Sequence, residues 1–125
     1  MKTFLRWALF TVLASTPVLA HHGNAAFDVG KTRELKGTVT EWIWANPHCW
    51  LKFDVTEGGN TVNWVDEATN SADLMERGWS RLLFKPGDQV MVALEPVKSG
   101  APVGRVRSIT LPNGKVVGTN YIPRP

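Results

Sequence analysis

The sequence predicts a small all-β fold with one short helix, a five-stranded OB-like barrel in the order β-β-β-α-β-β. Three observations predict it. Apolar residues alternate with period two in five separate runs. Turn residues separate those runs at Asn46-Pro47, Glu57-Gly58-Gly59-Asn60, Lys85-Pro86-Gly87-Asp88 and Ser99-Gly100-Ala101-Pro102. The period changes once, between the third run and the fourth. A small β-sandwich or an SH3-like barrel is the alternative arrangement of the same elements.

The elements follow in order. Residues 33–44 form the first strand, with Leu35, Gly37 and Val39 on one parity and Lys36, Thr38 and Thr40 on the other, ending in Trp42-Ile43-Trp44. Residues 48–56 form the second, with Cys49, Leu51, Phe53 and Val55 opposed to Trp50, Lys52 and Asp54. Residues 61–67 return as the third. Asn70 or Ser71 caps a short helix with Asp73 in its first turn, Leu74 and Met75 as its apolar residues and Gly78 as its stop. The fourth strand, 89–97, sets Val90, Val92 and Leu94 against Gln89, Met91 and Ala93. The fifth, 103–111, sets Val106, Ser108 and Thr110 against Arg105, Arg107, Ile109 and Leu111, and Pro112-Asn113-Gly114-Lys115 opens a last hairpin. The barrel domain is expected to span 33–118, with 119–125 a loose tail.

Residues 1–20 read as a cleaved secretory signal. Lys2 and Arg6 give a positive start, Trp7–Leu13 an apolar stretch, and Val18-Leu19-Ala20 a cleavage site. The apolar stretch is shorter than the ~20 residues that span a bilayer. The protein is therefore expected in the periplasm or outside the cell, cut after Ala20, with no membrane span in the mature form. Residues 21–32 read as an extended arm. The mature chain of 105 residues carries a charge near +1 once Lys2 and Arg6 are removed from the formal +3. Bulk charge gives nucleic acid no attraction. A single cysteine, Cys49, excludes an intramolecular disulfide.

Cleavage after Ala20 leaves His21 with a free α-amine beside its ring. Amine and Nδ1 form a chelate, and a second imidazole from His48 or His22 completes a three-nitrogen set of the kind Cu(II) prefers. The metal candidates are therefore His21, His22 and His48, with copper as the favoured ion. Against this stands the plainer reading of a solvated chain start and a turn histidine. Glu67, Cys49 and Asp28 are candidate additional ligands or supports, and Met91 is a second soft donor. His48 and Cys49 are neighbours on a strand, so their side chains should point to opposite faces. The expected role is metal carriage or buffering, with another periplasmic protein as a candidate partner.

A second class is a non-catalytic adaptor. Trp42, Trp44, Trp50 and Trp64 would then form a stacking face for a peptide, a glycan or an oligonucleotide. The plainer reading is that tryptophan fills the core and rim of a small barrel. Catalysis is not expected. Nucleophile elbows, zinc-protease helices and phosphate loops are missing from the sequence. Asp54, Asp66, Glu67 and Glu95 read as solvated faces or partners of Arg and Lys, with Asp54 and Glu67 the one pair placed to meet across a hairpin.

Several pieces of the chain resemble an uncharacterised family of small exported bacterial proteins. They are His21-His22, Ala26-Phe27-Asp28, Leu35-Lys36-Gly37-Thr38-Val39-Thr40, Asn46-Pro47-His48, Trp64 with Glu67, Arg77-Gly78-Trp79, Lys85-Pro86-Gly87-Asp88 and Leu111-Pro112-Asn113-Gly114. The resemblance spans nearly the whole mature chain. It implies a domain of unknown function and brings no activity with it. Cys49 stands where such sequences usually carry an aliphatic residue, and Gly23 where they often carry Ser.

Overall fold

The computed structural model describes residues 24–119. Six strands form: β1 (Arg33–Ile43), β2 (Trp50–Glu57), β3 (Asn60–Glu67), β4 (Gln89–Pro96), β5 (Val103–Thr110) and β6 (Val116–Gly118). One helix, α1 (Ser71–Glu76), lies between β3 and β4, and a 3-10 turn spans Asn24–Ala26. The sheet runs β3-β2-β1-β4-β5-β6, and a parallel β3–β5 pairing joins its ends. Five strands therefore close into a barrel, β1-β2-β3-β5-β4, with β6 added on β5. Closure removes most of the exposed edge of a five-stranded sheet.

Alternation decides the core. Leu35, Val39, Leu51, Phe53, Val55, Val90, Val92 and Leu94 all point inward and are buried. Gly37 shares that face because a Cβ there would meet the Asp54 carbonyl at 2.6 Å and Phe53 Cδ2 at 2.7 Å. Two bulges then break the simple parity. The first lies between Val39 and Glu41. There the Lys85–Asp88 turn clamps Val39, through Asp88 O from Val39 N and Val39 O from Gly87 N, at 2.8 Å each. The extra residue turns Trp42 and Trp44 inward, where they pack on the core beside Trp79 and Phe84.

The second bulge, between Ala93 and Leu94, corrects the expected phase of β5. Val106 and Ile109 are both buried, three apart, although simple alternation puts them on opposite faces. In α1 Ser71 and Leu74 are buried, while Met75 is exposed. Neighbours on a helix differ by ~100°, so a single turn cannot bury both Leu74 and Met75. Asn70 is the N-cap, accepting from Asp73 N at 2.9 Å, and Gly78 takes φ 82° just after the helix. Thr119 is not tail. It is buried, and its hydroxyl donates to Val106 O at 2.9 Å.

The arm is pinned. Phe27 is buried and bridges Val97, with Asp28 N on Pro96 O at 2.9 Å and Lys98 N on Ala26 O at 3.0 Å. Its ring covers the Arg105 guanidinium at 4.6 Å. A desolvated contact of that kind contributes about 1–2 kcal/mol. Below it, the fully buried Glu95 faces Arg105 at 2.6 Å and Arg107 at 3.0 Å. No described helix is long and apolar enough to cross a membrane.

Candidate metal site

The turn after β1 carries His48, and hydrogen bonds hold that turn on both flanks. Asn46 Oδ1 accepts from Ser71 Oγ at 2.9 Å and Ser71 N at 3.2 Å, tying the turn to the start of α1. Cys49 N donates to Thr69 O at 3.1 Å, and Ala68 N donates to Cys49 O at 2.8 Å. The Asn46–Pro47 peptide bond is cis. The hydrogen bonds of Asn46 and Cys49 hold the backbone on either side of His48, while its side chain is 46% exposed.

Glu67 ends β3 opposite Trp50 of β2. Its Oε1 lies 2.9 Å from His48 Nδ1, and its side chain is only 16% exposed. A carboxylate set against one ring nitrogen is the support that metal-binding histidines use; for Nε2 to take an ion, Nδ1 would carry the hydrogen. Trp50 stands edge-on to His48, with ring centroids 6.4 Å apart.

The other candidates fall elsewhere. His21 and His22 lie outside the described residues. Cys49 is fully buried on the inner side, donating its thiol to Ala45 O at 3.3 Å. Burial pushes that thiol's pKa up, and it lies inside the barrel while the His48 side chain is half exposed outside. Asp28 faces Lys31 at 3.7 Å in the arm. Met91 pairs with Lys36 and Thr110, away from the β2–β3 row that carries Trp50 and Glu67. Among the described residues no three His, Cys, Asp or Glu side chains gather at one point. Within that set, His48 and Glu67 are the two candidates that meet.

The tryptophans do not make one platform. Trp42 and Trp44 join Trp79 and Phe84 against the core, Trp64 is buried inside the barrel, and Trp50 stands on the outer face. Asp54 does not meet Glu67 either. It pairs with Asn63, whose Nδ2 donates to it at 2.8 Å, four residues down the hairpin.

Two of the strand carboxylates are buried: Glu95 as a partner of arginine, as expected, and Asp66 against expectation. Glu95 is buried between Arg105 and Arg107. Asp66 is fully buried within the barrel, and neither of its side-chain oxygens makes a well-formed hydrogen bond. Burial raises its pKa to about 8, offset only in part by the Gly104 backbone amide. One sequence signal could have found it: Asp66 shares the parity of Trp64, hence the inner face. Nothing comparable marks Glu95, whose partners Arg105 and Arg107 lie on another strand.

One family model, described as a family of unknown function (DUF6152), matches residues 10–106. No curated protein and no solved structure matches the chain.

Proposed function

The chain belongs to that family of unknown function, DUF6152, and from its own residues we propose that it is an exported protein that binds a transition-metal ion, copper in preference, for carriage or buffering. The ligands are His48 Nε2 and the amine and ring of His21, with His22 as the alternative imidazole. One observation carries the reading: the 2.9 Å contact between His48 Nδ1 and Glu67 Oε1. It sets a carboxylate against a half-exposed imidazole on a braced turn. Glu67 acts here as the support of His48 and not as a ligand.

The fit of the residues to such an ion is incomplete within 24–119, because one imidazole does not hold a metal tightly. The remaining donors must come from the mature N-terminus. Copper favours that combination because an amine and two imidazoles supply a tetragonal nitrogen set. Binding would displace the amine proton and so strengthen with pH.

The test is a Cu(II) titration of protein purified with its native N-terminus, the start residue being checked by intact mass. A form with one extra residue before His21 is expected to lose tight binding. Equal, weak binding by both forms would end the proposal.

A further inference from the structure

We propose that the loop joining α1 to β4 is a membrane-surface contact, with Leu82 entering the acyl layer of an anionic bilayer and Arg81 meeting lipid phosphate. This contact needs none of the metal ligands. The loop tip is a turn held from several sides. Leu83 N donates to Ser80 O at 3.1 Å, which leaves Arg81 and Leu82 as the two central residues. The same carbonyl accepts from Trp42 Nε1 at 3.1 Å. Buried rings anchor both ends, Trp79 before the turn and Phe84 after it, with centroids 5.7 Å apart. Trp79 Nε1 also donates to Gly118 O at 3.0 Å. With its backbone tied in this way, Leu82 stands outward and is 88% exposed, more than any other large apolar side chain among the described residues. Leu83 beside it packs on the core, as do Trp42 and Trp44.

A lone exposed leucine is ordinary on a protein surface. The residues around this one give it a direction. Residues 77–87 carry Arg77, Arg81 and Lys85 and no carboxylate. Arg77 gives an N–H to Asp73 O at 2.7 Å, and Lys85 reaches Asp88 at 2.5 Å. Arg81 is exposed and makes no ion pair among the described residues. An aliphatic tip, a cation beside it and half-buried indoles at its base suit the successive zones of a bilayer surface. Acyl chains take the leucine, lipid phosphates attract the arginine, and tryptophan favours the boundary between them. A protein partner suits the loop less well. A stable interface buries about 800 Å² on each side, and one leucine beside one arginine offers only a small part of that. A bilayer needs no pocket shaped to receive the tip.

The two contributions have known sizes. Taking a leucine side chain out of water strengthens binding roughly ten- to hundredfold. One arginine near an anionic surface adds about fivefold, and salt screens it. The contact is therefore reversible and salt-sensitive, well short of a permanent anchor.

The experiment is co-sedimentation of the protein, purified with its native N-terminus, with vesicles of phosphatidylglycerol and phosphatidylcholine in equal parts, and with vesicles of phosphatidylcholine alone. EDTA is present throughout, so the outcome is independent of the metal site. The protein should bind the mixed vesicles, bind the neutral ones more weakly, and release in high salt. Leu82→Ser should weaken binding about tenfold and Arg81→Gln about fivefold. Val62→Ser, an exposed apolar position on the β2–β3 hairpin, should change nothing. All three side chains are exposed, so the variants should keep the urea midpoint of the parent, which checks that they fold. No binding to the mixed vesicles would overturn the proposal. So would binding unchanged in Leu82→Ser, or a loss in Val62→Ser as large as in Leu82→Ser. Sedimentation velocity decides against a protein contact: self-association abolished by Leu82→Ser, with vesicles ignored, would make the loop an interface between copies and also overturn it.

Discussion

Asp66 and Gly104 face each other across the β3–β5 seam, too close for a side chain on Gly104. A Cβ on Gly104 would lie 3.0 Å from Asp66 Oδ1, 2.8 Å from Leu94 Cδ1 and 3.1 Å from the Glu95 carbonyl. The seam is short, with three register pairs, and this is its central one. A buried carboxyl and a missing side chain thus occupy one space where the sheet closes.

Gly104→Ala should therefore overpack the seam. Leu94 can give by a rotamer, but the Glu95 carbonyl is backbone and cannot. We expect a loss of about 1–3 kcal/mol in urea unfolding. Shortening the opposing carboxyl, in the double variant D66S/G104A, should recover part of it. Additive losses in that double-mutant cycle would show that the two residues do not share the space.

Asp66 also makes stability depend on pH. Its folded pKa, about 8, stands far above the ordinary 3.8 because burial disfavours the charge. The folded barrel keeps the proton that the unfolded chain releases. Stability from this group is fully present below about pH 4 and is lost as pH rises to about 8. Asp66→Asn should flatten that decline and raise the urea midpoint at pH 8 more than at pH 5. Parallel profiles for the two proteins would refute this.

Glu67→Ala should weaken Cu(II) binding by roughly 10–100-fold, since an unsupported imidazole loses its tautomer and its aim. Glu67→Gln should cost less, because its amide oxygen still accepts from Nδ1. An affinity unchanged in the alanine variant would separate the His48–Glu67 contact from metal binding.

Cys49 should be inert in the folded protein. It is fully buried, with its thiol engaged by Ala45 and its pKa raised by burial. A thiol reagent is expected to label it only after denaturation, and no disulfide dimer should form in air. Rapid labelling under native conditions would contradict the burial.

The sequence by itself determined the order and type of the elements. Period-two alternation marked β1, β2 and β4 with their inward faces, and Asn70, Gly78 and the Lys85–Asp88 turn carried their own local chemistry. It also picked out Glu67 as the carboxylate to test and His48 as a residue on a fixed turn. Parity failed only after the bulges, at Trp42, Trp44 and Ile109, because one inserted residue flips every later side chain and a single strand does not reveal where its partner is short.

Only the tertiary structure decided which residues meet. His48 and Glu67 are nineteen positions apart and become neighbours through the register that sets Trp50 against Glu67. Phe27 and Arg105 meet because the arm joins the edge of β4. Pairing of that kind is fixed by barrel closure, a global constraint on strand stagger, and local sequence patterns carry no record of it.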